Sequence, residues 1–211
     1  MSKTVLFDYF RSSAAYRVRI ALNLKGVDYE RRPVNLLEGG QRSPGYRALN
    51  PQALVPALKI DGKVLTQSLA IIAYLDSTRP DPPLLPADPA DAAHVRAMAL
   101  VVACDIHPLN NLRVLKYLKE ELGQEQEARD SWYRHWVAEG LAALEAMAAP
   151  RSGRFLFGDS PTLADLCLVP QMFNARRFDV PLEACPTLVR TDGEAARLDA
   201  FAAAHPDRAG P

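Results

Sequence analysis

Hydrophobic and polar positions change their period several times over the first third of the chain and then settle to one. Residues 4–10, "TVLFDYF", are an apolar run of strand character. Residues 14–25 repeat apolar positions at helical spacing and stop at Gly26, and residues 29–35 read as a second strand. "VPALKI" and "KVLTQS" flank Asp61-Gly62, a dipeptide suited to positive φ, so the pair predicts a hairpin. Residues 68–77 predict a closing helix. Prolines at 80, 82, 83, 86 and 89 then deny both helix and central strand to "RPDPPLLPADPAD", which reads as an interdomain linker. Only helical patterns follow: 90 to about 122, which Pro108 must kink or interrupt, then 125–147, 162–173 and one near 193–204.

The order strand, helix, strand, hairpin, helix predicts a small mixed sheet with helices packed on it, an α+β domain of thioredoxin-like order over residues 1–80. A linker over 81–90 leads to an all-α domain over 91–211. Thr162 and Asp165 have the spacing of a capping box, a folding device to which no chemistry is assigned. The terminal "HPDRAGP" is expected to fray.

Charge narrows the partners. Lys plus Arg number 25 and Asp plus Glu number 25, so no overall field draws the chain to nucleic acid or to an anionic membrane, and any functional positive charge must be local. The three cysteines are far apart, without C-x-x-C or metal-ligand spacing, which suggests a reducing compartment, and the cytoplasm is expected. Four scattered histidines predict no metal site. No apolar run is long enough to span a bilayer, and the first residues read as a strand instead of a signal segment.

Candidate chemistry gathers at three places in the first domain. Ser12 and Ser13 fall at the strand-to-helix junction, where thioredoxin-like domains present their reactive group. The nearest cysteine, Cys104, lies across the linker, so dithiol exchange is not expected. Pro56 directly precedes a strand, the place of a cis proline in such domains, which leaves the main chain of Val55 free to pair with an extended peptide. Gln67-Ser68 opens a helix whose first amides suit a carboxylate. Taken singly, each is an ordinary cap or strand start. In this order they describe a site for a small peptide with a free carboxylate.

"RSSAAYRVRIALNLKG", "NPQALVPAL", "LTQSLAIIAYL", "DIHPLNNLRVLKYL" and "PTLADLCLVPQMFNARRF" together resemble the zeta-class glutathione transferases, from about residue 3 to residue 200. Within that class they are similar to its maleylacetoacetate isomerase members and to the related maleylpyruvate isomerases. The resemblance implies a homodimer with glutathione as cofactor and a small dicarboxylate as substrate. It implies that Ser12 contacts the sulfur with Ser13 supporting the turn, and that Gln52, Val55, Pro56, Gln67 and Ser68 hold the tripeptide. It also places His107 and Asn111 near glutathione, and gives Arg11, Arg177 and Arg113 as candidates for substrate carboxylates and keto oxygens, with Arg11, beside Ser12, also counted with Ser12 and Ser13 as catalytic. Arg176, about 100 degrees from Arg177 on a helix, is expected on another face.

The implied reaction is cis-to-trans isomerisation of maleylacetoacetate by thiolate addition, bond rotation and elimination, with glutathione regenerated. Isomerisation of maleylpyruvate, a glutathione-consuming transferase or dehalogenase, and a non-catalytic binding protein stand as alternatives. The family's third residue in the Ser-Ser-Cys run is here Ala14, so no role of that cysteine carries over. A hydroxyl is enough on energetic grounds. Lowering a thiol pKa by about two units takes roughly 2.7 kcal/mol. One charge-assisted hydrogen bond gives about 1.5–3 kcal/mol and a helix N-terminus about 0.3–1 kcal/mol.

Overall fold

The computed structural model describes residues 3–210. In chain order these form β1 (Val5–Asp8), α1 (Ser13–Leu24), β2 (Glu30–Pro33), α2 (Pro44–Leu49), β3 (Ala57–Ile60), β4 (Lys63–Thr66) and α3 (Ser68–Thr78). There follow α4 (Pro89–Leu100), a π-helical turn (Val101–Ile106), α5 (Leu112–Glu120), α6 (Gln126–Ala148), α7 (Leu163–Arg177), α8 (Pro186–Ala195), α9 (Asp199–Ala204) and α10 (Pro206–Ala209). The chain divides into two compact units, one running through Pro83 and resumed from Leu198, the other Leu84–Arg197.

The first unit is the thioredoxin-like α+β layer expected. Its sheet has the order β2-β1-β3-β4, with β1 and β2 parallel and the other pairs antiparallel. Asp61 and Gly62, at φ 50° and 73°, make the tight turn between β3 and β4 that their dipeptide predicts. Leu6, Leu58 and Ile60 from the sheet and Val18, Leu22, Ile71, Ile72 and Leu75 from α1 and α3 form its buried core. The hydrophobic driving force therefore fixes α1 and α3, whose N-termini carry the candidate groups.

Two features of this unit depart from the sequence reading. Between β2 and β3 the chain forms α2, capped by Ser43 Oγ accepting from the Tyr46 amide at 3.3 Å and started by Pro44. Six residues are too few for a helical period to register. The C-terminal segment, assigned from the sequence to the helical domain, instead packs on α1. Arg19 Nε donates to the Ala204 carbonyl at 2.9 Å, Asn23 Nδ2 to the Ala200 carbonyl at 2.8 Å and Arg31 Nη1 to the Ala209 carbonyl. In place of a frayed tail, α10 forms with Pro206 buried, while Pro211 lies outside the described residues.

The second unit is all helical. The long pattern over 90–122 is interrupted before α5, as Pro108 requires, and the break opens with the π-helical turn. Gly140 of α6 leaves no room for a Cβ against the Ile106 side chain, so that turn and α6 approach closely. The capping box at α7 is present as read. The single helix expected over 193–204 is two: α8 starts earlier, at Pro186, and α9 belongs to the other unit. The Glu145 carboxylate caps α8, accepting from the Thr187 and Leu188 amides at 3.0 Å each, a cap 42 residues away in sequence and so invisible to local pattern.

Candidate functional site

The register of the first unit brings three chain segments to one end of the sheet. Phe7 pairs with Ala57, and Ala57 with Thr66. The chain therefore enters β3, just after Val55 and Pro56, at the same sheet end where β1 leaves toward α1 and β4 leaves toward α3.

Ser12 caps α1: its backbone is extended, at φ −74° and ψ 118°, and its Oγ accepts from the Ala15 amide at 3.2 Å. The Ser12 amide donates back to the Tyr9 carbonyl at 2.8 Å, closing a tight turn from β1 into the helix. The hydroxyl proton of Ser12 has no acceptor among the described residues, and the side chain is half-buried. It can therefore donate outward while the helix holds it from behind. Ser13 is buried at 5 % exposure, and its place is within the helix. Arg11 is exposed, with its guanidinium 5.0 Å from the centre of the Phe10 ring.

Val55 is joined to Pro56 by a cis peptide. The loop ahead of it is tied by the Leu54 carbonyl, which accepts from Tyr46 Oη and Asn50 Nδ2 at 2.7 Å each. Burial raises the Tyr46 pKa to about 12, so this phenol remains a donor at neutral pH. Among the described residues the main chain of Val55 has no backbone partner, so it presents both a donor and an acceptor. Gln67 sits at φ 66° and reaches Gln52, Nε2 to Oε1 at 2.7 Å, which joins two residues distant in sequence. No side chain among the described residues caps α3, and its first residue, Ser68, is 6 % exposed.

Two arginines that sequence reasoning did not single out lie inside this unit, Arg17 at 2 % and Arg19 at 1 % exposure. Arg19 donates Nη1 to Asp8 at 2.8 Å and Nη2 to the Phe10 carbonyl at 3.0 Å, and Arg31 binds the same carboxylate at 3.1 and 3.2 Å. Among the described residues Arg17 has a single bond, Nη1 to Ser68 Oγ at 3.4 Å, and its Nε and Nη2 are buried without a partner. The signal available in the sequence was two charges inside the otherwise apolar run 14–22, since buried charges need partners.

The remaining candidates belong to the helical unit. Arg177 lines a cavity of about 230 Å³ with Lys116, Lys119, Arg129 and Phe178, opposed by the single carboxylate of Asp130. Gln126 engages both Asp130, at 2.7 Å, and Arg129, at 2.6 Å. Phe178 stacks on Tyr133 at 3.7 Å and lies under the Arg177 guanidinium, giving the cavity an aromatic wall. Lys116, Lys119 and Arg129 were not anticipated; alternating Lys at 116 and 119 marks one helical face and could have been noticed. Arg176 points elsewhere, paired with Asp192 at 2.7 Å. Arg113 is exposed and is not among the residues lining the cavity. Asn111 Oδ1 caps α5 by accepting from the Arg113 amide at 3.1 Å, and His107 ends the π-helical turn, its amide bonded to the Val102 carbonyl.

Comparison with known proteins agrees on one family. Residues 11–78 match the family model for the glutathione S-transferase N-terminal domain, and residues 126–204 that for its C-terminal domain. The chain is 56 % identical to the maleylacetoacetate isomerase of Rhizobium meliloti strain 1021, over 100 % of this chain and 99 % of that protein. The holo structure of a maleylpyruvate isomerase, a bacterial zeta-class glutathione S-transferase, superposes with a TM-score of 0.95 at 47 % identity, covering 97 % of each chain. The maleylacetoacetate isomerase of Anaeromyxobacter dehalogenans 2CP-1, solved with glutathione in its active site, gives a TM-score of 0.88 at 46 % identity, covering 98 % of this chain and 96 % of that one.

Proposed function

This chain belongs to the glutathione S-transferase family, and on that premise we propose that it is a glutathione-dependent cis–trans isomerase acting on maleylacetoacetate. The observation that carries the reading is the Ser12 hydroxyl, held at the N-terminus of α1 with its proton unclaimed among the described residues, at the sheet end where the Val55 main chain likewise has no partner among them. The residues present fit the tripeptide. Val55 offers a donor and an acceptor to an extended peptide, and Ser68 with the uncapped start of α3 suits a carboxylate.

Glutathione, when bound, supplies a thiolate for reversible addition to a conjugated double bond, which frees rotation about it. Ser12 donates its hydrogen bond to the sulfur and, with the helix N-terminus, lowers the thiol pKa by about two units. Ser13 holds the same turn. Gln52, Gln67 and Ser68 fix the tripeptide end remote from the sulfur, with Pro56 shaping the strand start and His107 and Asn111 contributing further polar contacts. Arg177 binds a substrate carboxylate, with Lys116, Lys119 and Arg129 adding positive charge in the same cavity. Arg11 and Arg113 are the other arginines available to the keto oxygens and the second carboxylate. The enzyme works as a cytoplasmic homodimer.

The test is turnover of maleylacetoacetate and of maleylpyruvate by the purified protein, with and without glutathione. The expected result is isomerisation of maleylacetoacetate with the higher kcat/KM, dependent on glutathione and without loss of free thiol. Preference for maleylpyruvate would move the assignment to that substrate, to which the structural likeness to a maleylpyruvate isomerase also points. Stoichiometric consumption of thiol would replace isomerisation by conjugation or dehalogenation.

A further inference from the structure

Arg17 is a charge without a counter-charge. It is 2 % exposed, and among the described residues no carboxylate pairs with it; Nε and Nη2 have no acceptor and Nη1 reaches only the neutral Ser68 hydroxyl at 3.4 Å. A guanidinium stays protonated, so burial cannot be relieved by loss of the proton. Desolvating such an ion without a partner costs several kcal/mol. Arg19, two residues along the same helix, shows that this fold pairs a buried arginine fully when the partner is its own.

Ser68 links Arg17 to the start of α3. Its Oγ accepts from Arg17, so its O–H must point elsewhere, and among the described residues that proton has no acceptor. The first amides of α3 carry no side-chain cap from the described residues, and the helix has 11 residues. A donor hydroxyl, unclaimed helix amides and a buried cation behind them converge on one group, an anion with at least two acceptor oxygens.

We infer that Arg17 is a positioning residue for glutathione: it turns the Ser68 hydroxyl toward a carboxylate of the tripeptide, and that carboxylate supplies the counter-charge Arg17 lacks. This rests on the glutathione reading above and adds a residue to it. Before the ligand arrives the buried charge is a cost. Binding removes that cost, so the apparent affinity of glutathione is greater than surface contacts alone would give. Glutathione carries two carboxylates, of its γ-glutamyl and glycyl residues, and derivatives amidated at one or the other identify which is used.

The experiment compares wild type, Arg17→Met and Arg17→Lys by thermal unfolding without ligand, and by calorimetric titration with glutathione and its two monoamides. Arg17→Met is expected to unfold at or above the wild-type temperature without ligand, because an apolar side chain replaces an unpaired ion. Its glutathione dissociation constant should rise about 10- to 100-fold, the loss of one charge-assisted bond, with Arg17→Lys intermediate. With one of the two monoamides, wild type and Arg17→Met should bind equally. An unstable or unfolded Arg17→Met, unchanged affinity for glutathione, or equal weakening toward all three ligands would overturn the inference. Failure of the wild type to bind glutathione would instead overturn the glutathione reading itself.

Discussion

Arg17 and Arg19 stand two residues apart on α1, about 200 degrees around it, and both are buried. On one side Arg19, Asp8 and Arg31 form a closed cluster whose donors end on a carboxylate and on the Phe10, Ala204 and Ala209 carbonyls. On the other side Arg17 and Ser68 form an open one, with two guanidinium nitrogens and a hydroxyl proton unused among the described residues. The closed cluster ties the C-terminal segment and the turn after β1 to the sheet, so its energy serves folding. The open cluster adds to the fold only the Arg17–Ser68 bond, and on the inference above its remaining bonding capacity serves a ligand. The same contrast separates two helix N-termini. Thr162 and Asp165 at α7 satisfy each other, whereas Ser12 at α1 accepts one bond and its proton has no acceptor among the described residues. Polar groups of one chemical type thus divide by whether the chain itself completes their bonding.

That division makes closed sites matter to stability and open sites to kinetics. The largest effect is expected at the closed cluster: Arg19→Met leaves the fully buried Asp8 short of a partner and should destabilise the protein by about 3–5 kcal/mol in urea unfolding. Arg17→Met should leave stability unchanged or raise it, and equal destabilisation by the two would erase the distinction.

Next comes Asp165, buried completely, whose pKa is pushed up to about 6 by desolvation against the hydrogen bonds from Leu156 and Thr162 that lower it. The folded state therefore holds this proton more tightly than the unfolded chain. Its contribution is fully present below the unfolded value near 4 and is lost as pH rises to 6, by an amount on the order of 3 kcal/mol. Urea unfolding of wild type against Asp165→Asn from pH 4 to 7 should show the wild-type advantage shrinking with rising pH. An advantage that grows would make Asp165 an ordinary ionised cap.

The smallest of the three is at the open terminus. Ser12→Ala should lower kcat about 10- to 100-fold, equivalent to one hydrogen bond to a thiolate, while the glutathione dissociation constant changes by less than about threefold. Some stability is lost as well, about 0.5–2 kcal/mol for an N-cap. A loss confined to stability would place Ser12 with the closed caps.

The positions of the candidate serines, of Val55-Pro56 and of Gln67-Ser68 were legible because each is a local event: a period change, a proline before a strand, a polar pair opening a helix. Asp61-Gly62 and the capping box of α7 were legible for the same reason. Arg17, Lys116, Lys119 and Arg129 were not. Their side chains look like the solvated charges that most Lys and Arg residues are, and only burial or a shared cavity distinguishes them. The Glu145 cap of α8 and the return of α9 and α10 to α1 escaped notice because both depend on partners far away in the sequence.

By itself the sequence determined the element types, the mixed sheet followed by helices, the break at Pro108 and the residues at each helix start, since these follow from short-range periodicity and capping. Only the tertiary structure decided which polar groups are completed within the chain and which are left open. That outcome depends on exclusion of water and on contacts between distant segments, as with Arg19 bonding to Ala204 and Arg17 bonding, among the described residues, only to Ser68.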